Sequence, residues 1–119
     1  MNRQYLFKWE KDIYDTEPDY PWNDWNVVLR HKENNKWYGL IMKIPATKLG
    51  LQGDRLIDVL NVKYDPILIG SFRSKPGYFP AYHMNKENWI SITLDGSVLA
   101  DEIKSLMAMS YDLTTGKEA

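Results

Sequence analysis

The chain contains no cysteine. That excludes disulfides, thiolate zinc sites, iron–sulfur ligation and a cysteine nucleophile. The absence also fits a reducing compartment. Histidine is almost as scarce: His31 and His83 lie far apart and supply too few ligands for a recognisable metal centre. No apolar run is long enough for a signal peptide or a membrane span, since residues 1–10 carry a charge every few positions. A cytoplasmic protein with no membrane contact, no metal and no cofactor is expected. Internal repeats, low-complexity tracts and linkers are also lacking. The Gly50-x-x-Gly53-Asp54 stretch lacks the strand–glycine–helix context and Lys-Ser/Thr ending of a phosphate loop. No serine has nucleophile-elbow spacing. A catalytic role therefore has no motif behind it, and a binding protein rather than an enzyme is expected.

What is present is ordinary globular material. The 119 residues fit one domain over 1–119, with 44% hydrophobic and 26% charged residues. The five Trp and eight Tyr are many for this length; such rings fill cores and build binding surfaces. The net charge of −1 conceals a segregation. Residues 1–25 hold three basic and six acidic groups, 26–89 ten and five, and 90–119 two and five. The acidic ends read as helical and the basic centre as sheet. A basic sheet face is compatible with an anionic partner, and equally with plain solvation.

Leu6, Trp9 and Ile13, spaced three and four apart, predict a helix over 3–14. Pro18 and Pro21 prevent its continuation. Residues 27–32 and 36–44 are strand-like, and the Glu33-Asn34-Asn35 turn between them makes a hairpin. After a loop over 46–56, residues 58–64 form a third strand. Asp65-Pro66 predicts the start of a short helix ended by Pro76-Gly77. Residues 78–84 are irregular and hold at most one short strand. Residues 89–94 form the last strand, closed by Asp95-Gly96. Ser97 is positioned to cap a C-terminal helix with Leu99, Ile103, Leu106 and Leu113 on its apolar stripe and Gly116 at its end. Strands without strict βαβ alternation predict an α+β two-layer sandwich, a mostly antiparallel sheet with helices on one face in the order α-β-β-β-α-β(-β)-α.

Several stretches carry a resemblance. They are Glu-Pro-Asp-Tyr-Pro-Trp (17–22), Lys-Trp-Tyr-Gly-Leu-Ile-Met (36–42), Asp-Val-Leu-Asn-Val-Lys-Tyr-Asp-Pro-Ile-Leu-Ile-Gly-Ser (58–71), Pro-Gly-Tyr-Phe-Pro-Ala-Tyr-His-Met-Asn-Lys-Glu-Asn-Trp (76–89), Leu-Asp-Gly-Ser (94–97) and Ser-Tyr-Asp-Leu-Thr (110–114). In this order, over nearly the whole chain, they resemble the MmcQ/YjbR family of small bacterial proteins. The resemblance implies a compact α+β fold similar to CyaY and to type III secretion chaperones. It also implies a DNA-binding function, without catalytic residues to carry over.

Strand alternation locates a candidate surface, because successive side chains point to opposite faces. If the more apolar set of each strand faces the helices, that set is Val27 and Leu29; Tyr38, Leu40, Met42 and Ile44; Leu60, Val62 and Tyr64; and Ile90, Ile92 and Leu94. The opposite face then carries Arg30, Lys32, Trp37, Ile41, Lys43, Asn61, Lys63, Trp89, Ser91 and Thr93. Tryptophans among cations suit stacked bases and phosphates, and they equally suit a protein interface. A third reading is that a loop or the short second helix covers the indoles as a second small core. His83 and Lys86, in the His83-x-Asn85-Lys86-x-x-Trp89 segment, either shape the turn into the last strand or meet an anionic ligand. The expected function is nucleic-acid binding through Arg30, Lys32, Trp37, Lys43, Lys63, His83, Lys86 and Trp89. The alternative is a protein-interaction or chaperone-like adaptor using the same surface.

Overall fold

The structure, a computed structural model, describes residues 1–72 and 74–116. Helix α1 spans Arg3–Tyr14. Asn2 caps it by accepting from the Tyr5 N–H at 2.9 Å. Asp15, in the left-handed region at φ 54°, closes it with its N–H on the carbonyls of Lys11 and Glu10. Strands β1 (Val27–Arg30) and β2 (Trp37–Pro45) form the expected hairpin, with Asn35 at φ 63° in its turn. Strands β3 (Leu56–Lys63), β4 (Tyr78–Pro80) and β5 (Trp89–Thr93) complete the sheet, and helix α2 spans Ala100–Leu113. The strand order is β1-β2-β3-β5-β4 and every pairing is antiparallel. The architecture is α+β, as the order of elements without strict βαβ alternation predicted.

Both helices cover the same face. Leu6 of α1 and Ile103, Leu106 and Met107 of α2 pack on Val27, Leu29, Ile41, Leu60, Val62, Ile90 and Ile92. The N-terminus of α1 is pinned by Arg3, which donates from Nε and Nη2 to the two Asp58 carboxylate oxygens at 3.1 and 2.8 Å and from Nη1 to the Trp25 carbonyl at 2.8 Å. This clamp sets the rotation of α1, so Arg3, Leu6 and Glu10 are buried while Ile13 is 57% exposed. The apolar periodicity predicted the opposite fate for Ile13.

The sheet also overturns the expected orientation of β2. Its register with β3 places Gly39 opposite Val62 and Ile41 opposite Leu60, so Gly39, Ile41 and Lys43 share the helix-covered face. Leu40, Met42 and Ile44 lie on the other face, with Val28, Ala46, Ile57 and Val59. Both faces of β2 are buried, so its apolar pattern carries no preference between them. Tyr38 stays on the helix side because the β1–β2 register shifts between Leu29 and Arg30 and leaves it as the extra residue of a bulge. Ser110 of α2 fills the gap where β2 and β3 part. Its hydroxyl donates to the Tyr38 carbonyl at 2.6 Å and accepts from the Lys63 N–H at 2.9 Å.

Three further expectations are corrected. The helix predicted after Asp65-Pro66 is reduced to turns and a 3-10 segment over Ile69–Phe72, because the Asp65 side chain and carbonyl hold the N–H groups of Ile67, Leu68 and Ile69 in a local turn. Ser97 does not cap α2; its N–H donates to Asp95, and Leu99 occupies the cap position without a side-chain bond. Leu99 and Leu113 are exposed, while Ile103, Leu106, Met107 and Ser110 form the buried stripe of α2.

Candidate functional site

The helix-free face is covered in part by loops. Leu49, Leu51, Tyr82 and Met84 pack against its apolar patch. Asn61 and Ser91, expected to be open to a ligand, are fully buried instead. Ser91 Oγ donates to Asn61 Oδ1 at 2.5 Å and accepts from the Tyr82 N–H at 2.9 Å, and Asn61 Nδ2 donates to the Tyr82 carbonyl at 2.9 Å. These polar groups hold the loop after β4 against the sheet. Thr93 is likewise buried and bonds Asp95 at 3.1 Å.

Beyond this covered patch, one end of the face remains open. Arg30 pairs with Trp37 across β1–β2, and Lys63 pairs with Trp89 across β3–β5. The row Arg30, Trp37, Lys63, Trp89 therefore crosses four strands with cation and indole alternating. All four side chains are half-buried. Lys36, Trp37, Lys63 and Trp89 line a cleft of about 310 Å³ with Leu113 and Thr114 at the end of α2. The hairpin is fixed to that helix end by Asn34, whose amide donates to the Thr114 and Thr115 carbonyls at 3.1 and 2.8 Å.

The expected cations separate into two groups. Arg30 donates to Asp19 Oδ2 at 2.9 Å, with its guanidinium 5.4 Å from the Trp37 ring centroid. Lys32 lies 2.5 Å from Asp15, and hydrogen bonds from Lys11 and then Lys32 hold that carboxyl down to about 2. Lys43 is on the helix-covered face, 3.9 Å from Asp58 and 5.0 Å from the Trp25 ring centroid, so it does not join the row. Strand alternation assigned it wrongly because β2 is inverted. Lys36 and Lys63 form no ion pair with another described residue, and Lys36 had not been singled out. Acidic partners from residues 15–19 could not be read from strand patterns, because the contacts are remote in sequence.

His83 and Lys86 are exposed and lie outside the row, His83 meeting it only at the cavity that Trp37 also lines. His83, at φ 60°, lies against Tyr82 with ring centroids 4.0 Å apart. It lines a second cavity of about 400 Å³ with Trp22, Asp24, Asn26, Trp37, Leu40, Met42 and Met84. Lys86 borders a different cleft beside Lys48 and Phe79. Trp22 meets Trp37 edge-on at 6.0 Å. Its role was hidden in a proline-rich loop with no periodicity. His31 is buried and structural; its Nε2 lies 2.7 Å from Thr114 Oγ1, and burial lowers its pKa. Among the described residues no group of three or more His, Asp or Glu side chains is placed to hold a metal ion. No helix among them is long and apolar enough to cross a membrane.

The YjbR family model matches residues 11–113. The chain is 44% identical over 116 residues to the uncharacterized protein YyaQ of Bacillus subtilis (strain 168), covering 96% of this chain and 98% of that one. A crystal structure of a Pseudomonas syringae protein superposes with a TM-score of 0.93 at 50% identity, covering 96% of this chain and 99% of that one. The crystal structure of Deinococcus radiodurans protein DR2400, with its DUF419 domain, superposes with a TM-score of 0.65 at 27% identity, over 90% and 76% of the two chains.

Proposed function

The chain belongs to the YjbR family, and we propose that it is a non-catalytic binding protein whose Arg30–Trp37–Lys63–Trp89 row takes single-stranded nucleic acid. The observation that carries this reading is the cleft in which two partly buried indoles alternate with Lys36 and Lys63. Indoles accept bases of any sequence on their π-faces, and lysines track the phosphates between them. Both helices pack on the other face and α2 reaches the cleft only with its C-terminal end at Leu113, so no helix lies along this surface to enter a duplex major groove. Pairing of Arg30 and Lys32 with acids limits the positive field, so modest affinity with a shallow salt dependence is expected.

Fluorescence titration with labelled single-stranded and duplex oligonucleotides at several salt concentrations tests the reading. Trp37→Ala and Trp89→Ala should each weaken single-strand binding by ~1–3 kcal/mol. Lys63→Ala should reduce the salt slope by about one counterion. Binding that ignores both Trp changes, or no salt-dependent binding at all, refutes it. The exposed Trp22 and Trp25 favour a second reading, a protein partner anchored on aromatic side chains. In that case Trp22→Ala and Trp25→Ala weaken partner binding together with the Trp37 and Trp89 changes, and Lys63→Ala does little.

A further inference from the structure

We propose that the groove beside this row is a second binding site, one that takes a compact organic cation, an ammonium or guanidinium group on a short hydrocarbon body. At about 400 Å³ it has the size of a small-ligand pocket. Its floor is the buried Leu40 and Met42, with Met84 on one side. Its corner is formed by Trp22 and Trp37, whose rings stand at 84° with centroids 6.0 Å apart. Two perpendicular indoles offer a cation both a π-face and a hydrophobic wall. No lysine or arginine lines the groove, and Asp24 is its one carboxylate. Asp24 Oδ1 accepts from the Asn26 N–H at 2.8 Å, and a carboxylate retains further acceptor positions.

The surrounding charge selects the same ligand class. Asp15, Glu17 and Asp19 are ion-paired with Lys11, Lys32 and Arg30, whereas Asp24 lines the groove and has no ion pair with another described residue, so its negative charge faces the groove. The fold already seats cations on tryptophans of this region. The Lys43 ammonium lies 5.0 Å from the Trp25 centroid and the Arg30 guanidinium 5.4 Å from that of Trp37. Trp37 borders both cavities. The helix-free face is thereby divided into a basic cleft for phosphates and an aromatic corner with one carboxylate for a cation.

The test follows the indole N–H signals of the isotope-labelled protein by NMR. Choline and agmatine are titrated against 3,3-dimethylbutan-1-ol, the uncharged isostere of choline. Saturable shifts of the Trp22 and Trp37 signals are expected with both cations. A cation–π preference of this kind makes the alcohol weaker by ~2–30-fold. Asp24→Asn should weaken the cations severalfold and leave the alcohol unchanged, and Trp22→Ala should weaken all three probes. Trp22 is half exposed, so its loss spares the fold, which the remaining spectrum verifies. Agmatine is then compared with a blocked glycine–arginine–glycine peptide. Tighter binding of agmatine identifies a free small molecule, and tighter binding of the peptide a protein side chain; both outcomes uphold the site. Equal binding of choline and its alcohol isostere, or no saturable shift at these two indoles, overturns it.

Discussion

Glu10 should make this protein lose stability as pH rises. Its side chain is fully buried on the sheet-facing side of α1, and neither carboxylate oxygen has a hydrogen-bond partner among the described residues. Burial pushes its pKa from the ordinary 4.5 up to about 9. The folded state therefore holds a proton that the unfolded chain releases near 4.5. Stability from this group is fully present below pH 4.5 and is lost progressively as pH rises toward 9. Each pH unit inside that window costs up to ~1.4 kcal/mol, so the loss reaches about 3 kcal/mol by pH 7. His31 works in the other direction. Burial lowers its pKa, so it adds stability as pH rises toward 6.5. The two effects oppose each other below pH 6.5, and Glu10 is left alone between about 6.5 and 9. The perturbation is Glu10→Met, which keeps the side-chain length and removes the ionisable group. Urea denaturation at a series of pH values is the assay. The wild type should weaken steadily above pH 6.5, while Glu10→Met should be flat there and more stable by about 3 kcal/mol at pH 7. A wild type whose midpoint does not move between pH 6.5 and 9, or a variant whose advantage is the same at every pH, would refute the reasoning.

Asp58→Ala should cost ~3–5 kcal/mol, because it leaves the buried Arg3 guanidinium without its carboxylate; Arg3→Lys should recover little, since an ammonium cannot make the two-pronged contact. Ser91→Ala should cost ~1–3 kcal/mol by stranding Asn61 and the Tyr82 N–H, and limited proteolysis should cut faster within residues 81–88. Leu40→Ala should lower the unfolding free energy by ~2–5 kcal/mol even though its side chain faces away from both helices. Gly77→Ala should be worse than Gly39→Ala in thermal melts. Gly77 combines φ 84° with an added Cβ 2.7 Å from Val98 Cγ2, whereas Gly39 would meet only the end of the Leu29 side chain, at 2.8 Å.

Local chemistry determined the element map. The bounds of α1, the hairpin with its asparagine turn, and β3 and β5 to within two residues follow from periodicity and turn residues, which act over a few positions. The faces of β1, β3 and β5 also followed, because each has one clearly more apolar side. The core membership of Leu40, Ile92 and Leu106 was readable from their apolar strand and helix periodicity. Which way β2 points was not. Both of its faces are apolar, so the choice fell to the register with β3, to the bulge at Tyr38 and to Ser110 bridging the gap. Burial of Leu40 did not reveal its face, because the sheet has a core on each side. Glu10 was equally unreadable, since the Arg3–Asp58 clamp, closing over 55 positions, turns it inward in place of Ile13. The candidate surface divides in the same way. Alternation brought Arg30, Trp37, Lys63 and Trp89 to one face. Only the folded chain removed Lys43 from that face, paired Arg30 and Lys32 with acids in residues 15–19, and laid Trp22 against Trp37. Periodicity reports which side chains leave water; long-range pairing decides which neighbour each of them meets.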